Sequence, residues 1–361
     1  MRKHLLAASM FALTGCAQGT FDNVPPYDAA IQDASTDYNA TEASTIIEAA
    51  ADAGFAYGSF DQSYPETDRM IYNGGFVMTA PINVYLIWYG NWSYDTNTAP
   101  IIENLMSNIG GSDWFSINAL YYQKALYTIP DGGLTGYNDV GIVDSGDDAA
   151  IGPTTQVFVS NAVNYVGSIN VSYTHGTNLF VSDVEGIVSD AIAANSFPLD
   201  PNGVYFVLTS KDVDQFNGED ISCDNFCGWH EETDVLNADI KIAFVGDPMA
   251  CPDACTLQLA YLSKGIMNSP NGDWSADSMA SIMAHELSES ASDPNPFGLV
   301  AWLDDMGEES CDKCAWVFQN VYLTDTGSVA NVHIGSSNYM IQANWLLDNS
   351  DPNGGHCSLH R

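Results

Sequence analysis

The sequence predicts an α/β fold, a mixed sheet flanked by helices with loops stapled by disulfides. Three observations predict it. Val84–Tyr89, Gly203–Thr209 and Ile240–Val245 are near-continuous apolar runs, the pattern of strands buried on both faces. Helical patterns fall between and after them, which suits strands alternating with helices. Cysteines recur at close spacing in the second half of the chain, as in exported proteins held by disulfides.

Taken in order, the chain opens with a targeting pattern. Arg2, Lys3 and His4 give a basic start, and Leu5 to Leu13 is an apolar run too short to span a bilayer as a helix. Leu13-Thr14-Gly15-Cys16 follows and resembles the lipobox of bacterial lipoproteins, so residues 1–15 read as a signal peptide and Cys16 as the lipidated residue. The alternative is an ordinary signal peptide. Ala17 and Gln18, with no Asp directly after the cysteine, resemble outer-membrane sorting in a two-membrane bacterium. Residues 16–78 read as an acidic flexible tether, with a short helix over Ile46–Ala53, and residues 79–361 as one globular domain.

Within that domain, Val84–Tyr89 is a strand ended by Gly90, and a helix over Ile101–Ile109 is opened by Pro100 and stopped by Gly110 and Gly111. Val140–Val143 and Thr155–Ser160 read as strands, Leu179–Val181 as a strand end, and Asp183–Ala194 as a helix. The strands Gly203–Thr209 and Ile240–Val245 come next. A helix over Asp277–Ser290 places Met279, Ile282, Met283 and Leu287 at core spacing; Asp273 or Ser275 caps it and Asp293-Pro294 ends it. The stretch Asn320–Trp345 reads as short strands returning to the sheet.

Lys+Arg 9 against Asp+Glu 46 gives a formal net charge of −37. Such a surface repels nucleic acid and anionic head groups and favours cations. No Gly-x-Ser-x-Gly elbow, phosphate loop or dinucleotide fingerprint is present. Membrane attachment is expected only through the anchor at Cys16. Of the later cysteines, the local spacings suggest Cys223 with Cys227 and Cys251 with Cys255, which leaves Cys357 for Cys311 or Cys314.

The chemically loaded segment is the third helix and the acidic loop after it. His285 and Glu289 are four residues apart and project from one helical face, the spacing by which one helix offers two ligands to one metal. Glu286 lies between them. The arrangement is the His-Glu-x-x-His logic of zinc peptidases with glutamate in the fifth position, so His285 and Glu289 are expected to bind metal and Glu286 to act as general base. Glu309 and Asp312 complete the set if the chain folds back, and Asp293 is a further candidate. A surface helix followed by an acidic loop is the competing reading. His230 reads as a satisfied, hydrogen-bonded histidine, with a ligand or substrate contact as its alternative.

Several blocks resemble one family in the same order: Trp88-Tyr89-Gly90, Phe226-Cys227-Gly228-Trp229-His230, Cys251-Pro252-Asp253-Ala254-Cys255, Ala284-His285-Glu286-Leu287-Ser288-Glu289 with Asp293-Pro294, and Glu309-x-x-Asp312-x-Cys314. This is the EXORDIUM, or phosphate-induced protein, family of secreted proteins, best known from plant cell walls. The resemblance runs from about Ala80 to Cys357. It implies an exported globular domain with two small disulfide loops and a Cys314–Cys357 pair, and it groups His285, Glu286, Glu289, Glu309 and Asp312. Cys311 departs from the family pattern, as does Ser275-Ala276-Asp277-Ser278 where the family carries a glycine-rich approach to the helix.

The expectation is therefore an extracytoplasmic protein, lipid-anchored to a bacterial envelope or secreted, with a metallopeptidase-like fold. It would use Zn²⁺ to hydrolyse a peptide or cell-wall substrate. Two alternatives stand beside it. One is a non-catalytic surface or matrix protein whose same residues hold a structural Ca²⁺. The other is a carbohydrate-binding module using exposed aromatics.

Overall fold

A computed structural model describes residues 69–125, 155–218, 220–263 and 265–361, together with the two-residue strand Phe55–Ala56. The expected signal peptide, Cys16, the helix at 46–53 and the strand at 140–143 lie outside the described residues.

The centre is a five-stranded sheet. Its strands are β1 (Ile82–Tyr89), β2 (Val163–Val171), β3 (Gly203–Thr209), β4 (Gly228–Val235) and β5 (Ala238–Gly246). They lie in the order β2-β1-β3-β5-β4. The first four in that order run parallel, and β4 pairs antiparallel with β5 at the edge. Among the described residues four α-helices accompany the sheet: α1 (Thr98–Asn108), α2 (Val181–Ala193), the short α3 (Gln258–Ser263) and α4 (Trp274–Ser292).

The strand period of two explains why the central runs are apolar throughout. Val84, Leu86 and Trp88 of β1, with Val204, Phe206 and Leu208 of β3, share a core with α1 and α4. Tyr85, Ile87 and Tyr89, with Tyr205 and Val207, face the other way into a core shared with α2. Both faces of the sheet are covered, so its strands need no polar alternation. The mixed sheet flanked by helices is as expected, and the three disulfides among the described residues staple its loops.

Four expectations need correction. Pro100 lies inside the first turn of α1 rather than at its opening, since the helix begins at Thr98. The short strands between 322 and 339 pair with one another as hairpins and do not return to the main sheet. The first two disulfides are Cys223–Cys251 and Cys227–Cys255, not the local pairs. The β4–β5 hairpin is the reason: antiparallel strands bring the segment before β4 beside the segment after β5, so the cysteines pair across the hairpin's open end. Finally, the folded body reaches back beyond residue 79. Ile71–Tyr72 pairs with Trp302–Leu303, and Met70, Val77 and Met78 are buried. Cys357 pairs with Cys314, leaving Cys311 as a buried free thiol.

Helix α4 is no surface helix. Every residue from Ser275 to Ser292 except His285 is buried. Asp273 caps its start by accepting from the Ala276 amide at 3.1 Å. The helix thus runs through the molecule, and its polar residues must find partners inside it.

Candidate metal centre

His285, Glu286 and Glu289 leave α4 towards the edge strand β4 and the loop after Asp304. A cleft of about 300 Å³ opens there. His230 of β4 lines it together with Glu309 and Asp312 of the loop. The loop does fold back on the helix: Glu289 Oε1 accepts the backbone amides of Cys311 and Asp312, each at 3.0 Å. Glu289 is 2 % exposed, so it holds this turn as a charge-assisted cap inside the protein. Farther along the same loop, Lys313 Nζ donates to Asp304 Oδ2 at 2.8 Å and lies 4.4 Å from the centre of the Trp345 ring. Asp304 in turn accepts from the amides of Met306 and Glu308 through Oδ1.

The ring nitrogens sit among carboxylates. His285 Nε2 is 2.9 Å from Glu289 Oε2 and 3.3 Å from Asp312 Oδ1. His230 Nδ1 is 3.4 Å from Glu286 Oε2 and 3.9 Å from Glu289 Oε2, while its Nε2 is 3.6 Å from Glu309 Oε1. Donor atoms within 4.8 Å of one another form three overlapping groups: His230 with Glu286 and Glu289, Glu289 with Glu309 and Asp312, and His285 with Glu289 and Cys311. Glu289 belongs to all three. All the expected ligands and the expected base are brought together. Asp293 belongs to none of these groups; its Oδ1 accepts the Ala301 amide at 2.8 Å.

The electrostatics are those of a site short of positive charge. Among the described residues no lysine or arginine pairs with Glu286, Glu289, Glu309 or Asp312. Burial, then the charge of Glu289 and its neighbours, pushes the Glu309 carboxyl well above the usual range. Burial and Asp312 raise Glu289, with His285 pulling against them. Burial lifts Asp293 and Glu308 to about 7. Burial opposes the charged form of both histidines, but Glu286 and Glu289 outweigh it at His230, and Glu289 and Asp312 outweigh it at His285. One Glu309 oxygen is buried with no hydrogen-bond partner. A divalent cation would supply the missing charge and displace protons from these groups. The donors fit one: two imidazoles beside carboxylates suit zinc better than the all-oxygen shell calcium prefers.

Two residues gain weight that the sequence alone did not give them. His230 is 4 % exposed and hydrogen-bonded, as expected, through Nε2 to the Asp293 carbonyl oxygen at 3.1 Å, and it also faces the cluster. Gln342, from the segment before the last hairpin, donates from its amide to His285 Nδ1 and to the Cys311 carbonyl, each at 2.9 Å. No sequence signal marks Gln342. Of the tryptophans, Trp88, Trp114, Trp229, Trp302 and Trp345 are buried, and Trp92, Trp274 and Trp316 are partly exposed.

Fold and site together define a disulfide-stapled α/β protein with a buried carboxylate–histidine cleft. The chain belongs to the phosphate-induced protein family: the model of the phosphate-induced protein 1 conserved region matches residues 70–344. Among curated relatives it is 29% identical over 240 residues to protein EXORDIUM-like 5 of Arabidopsis thaliana, covering 61% of this chain and 56% of that one. It is 28% identical over 303 residues to protein EXORDIUM-like 3 of the same plant, covering 77% of this chain and 80% of that one. The chain thus spans little more than half of the first relative's length. No solved structure matches, so no structural neighbour supports the metallopeptidase-like part of the expected fold. Family membership supports a secreted or cell-surface protein, in keeping with the disulfides. No helix among the described residues is long and apolar enough to cross a membrane.

Proposed function

We propose that the protein is an extracytoplasmic metal-dependent hydrolase, peptidase-like in its chemistry, held at a bacterial envelope by lipid on Cys16. One observation carries the reading. Two imidazoles and the carboxylates of Glu286, Glu289, Glu309 and Asp312, from three separate elements, converge on one open cleft, and among the described residues no lysine or arginine pairs with those carboxylates. Glu289 is the common ligand; Glu309 and Asp312 add carboxylate oxygens, and a ring nitrogen of His230 or His285 supplies the nitrogen donor.

A zinc ion there would polarise a carbonyl and lower the pKa of a water molecule. Glu286 faces the same space and is placed to take the proton from the attacking water and return it to the leaving group. The cleft walls carry Phe226, Phe297, Leu303 and Met306, of which Phe297 and Met306 are half exposed, so a substrate with apolar side chains, such as a peptide segment, suits them.

The test is elemental analysis of the purified full chain, followed by hydrolysis of a peptide library. Stoichiometric zinc with turnover is the expected result. Glu286→Gln should keep the zinc and lower turnover by about 10²–10⁴-fold. Calcium in place of zinc, with no turnover, would leave a structural ion that pins the loop at 304–312 to α4.

A further inference from the structure

We infer that His230 is the imidazole ligand of this centre, through Nδ1, and that His285 is a positioning residue that orients Glu289 and Asp312. The inference rests on the metal-site reading above and decides which histidine serves it.

An imidazole binds a metal through a ring lone pair, and the hydrogen bond at the other nitrogen decides where that lone pair lies. At His230 the decision is unambiguous. Nε2 is 3.1 Å from the carbonyl oxygen of Asp293, which can only accept, so Nε2 carries the hydrogen. In the neutral ring the lone pair is then on Nδ1. That atom faces Glu286 Oε2 at 3.4 Å and Glu289 Oε2 at 3.9 Å, and the proton these carboxylates favour there in the charged ring is the one a cation would displace. Lone pairs of His230 and Glu289 therefore point into one buried space that Glu286 borders. Their separation is within reach of two donors that each lie about 2.0–2.2 Å from a common zinc ion, which leaves Glu286 beside the ion for the water. An imidazole tied to a backbone carbonyl through its second nitrogen is also the usual outer arrangement around a bound metal.

His285 is wired the other way. Gln342 Nε2 is 2.9 Å from both His285 Nδ1 and the Cys311 carbonyl oxygen. Only the amide nitrogen can serve a carbonyl, which fixes the orientation of the Gln342 amide and makes Nδ1 the acceptor. The hydrogen of His285 is then on Nε2, directed at Glu289 Oε2 at 2.9 Å and near Asp312 Oδ1 at 3.3 Å. No lone pair of His285 faces the carboxylates. Its hydrogen bond instead orients Glu289, whose other oxygen is held by the Cys311 and Asp312 amides. The partly exposed imidazole of α4 is thus a support, and the buried imidazole on the edge strand is the ligand.

The consequence is a cation that ties β4 to α4 and to the loop at 309–312. The decisive measurement is X-ray absorption on the zinc-loaded full chain and on its His230→Gln and His285→Gln variants, with zinc titrations of all three. Gln can still donate to the Asp293 carbonyl, and melting midpoints without zinc report whether each variant folds. Wild type should show one imidazole at about 2.0–2.1 Å. His230→Gln should lose it and weaken zinc binding at least about 100-fold, whereas His285→Gln should keep it and lose about 10–100-fold. The reverse pattern, two imidazoles, or none in a zinc-loaded wild type overturns the assignment and leaves the metal reading standing. If His230→Gln does not fold, the imidazole in His285→Gln decides alone. A wild type that takes up no zinc overturns the metal reading itself, and this assignment with it.

Discussion

Single residues carry unusual weight in this protein because so many charged groups are inside it. Asp304 and Lys313 show what such a group demands. The lysine is 1 % exposed, bonded to the carboxylate and stacked on Trp345, and the pair fixes the acidic loop before it reaches the cleft. Removing one partner takes a buried, charge-assisted bond from the other. Asp304→Ala should cost about 3–5 kcal/mol in urea unfolding, while the double change Asp304→Ala with Lys313→Met should recover most of that, because two apolar groups need no counterion. Equal losses in the single and double variants would mean that the loop depends on the Asp304 amide contacts and not on the charge pair.

At the scale of the element, the site exists because α4 crosses closely beside β4. Gly228 permits this approach. A Cβ there would lie 2.6 Å from Glu286 Oε1 and 2.8 Å from Ile282 Cγ2. Gly228→Ala should therefore cost about 1–3 kcal/mol by overpacking and displace the Glu286 carboxylate. Hydrolysis should fall more than zinc binding does; a variant with wild-type turnover would remove Glu286 from the reaction. The same strand marks the boundary of what was legible beforehand. Helix α4 could be read from Met279, Ile282, Met283 and Leu287, its cap and its stop, and His285 and Glu289 could be read from spacing alone. Strand β4 could not. Gly-Trp-His-Glu-Glu-Thr-Asp-Val is too polar to look like a strand, because an edge strand pairs on one side only and carries charges that discourage further pairing. With β4 unseen, His230 had no place beside α4, and the cysteines flanking the hairpin seemed to pair locally. β2 was missed for a related reason: at the opposite edge its pattern alternates between exposed and half-buried residues.

For the whole molecule, the large excess of acid over base becomes a linkage between protons, metal and stability. Buried carboxylates whose folded pKa is raised take up protons that the unfolded chain, with carboxylates near 4, does not hold. Asp293 and Glu308 at about 7, Glu231 at about 7 and Asp277 at about 6 all act in this sense, each because burial penalises its charge. His230, where Glu286 and Glu289 outweigh burial, contributes stability that is present below pH 6.5 and lost as pH climbs through its folded value. Both effects have the same sign. The metal-free protein should therefore melt at a higher temperature at pH 5.5 than at pH 8.5, since between about pH 4 and pH 7 the folded state holds more protons than the unfolded one. Zinc competes with the protons on Glu289, Glu309 and His230, so its stabilisation should grow over that interval and be larger at pH 8.5 than at pH 5.5. Scanning calorimetry of the metal-free and zinc-loaded chain at the two pH values measures all four midpoints. A metal-free midpoint that rises with pH would mean that these carboxylates are already balanced in the apo fold; a zinc increment that does not change with pH would place the ion away from them.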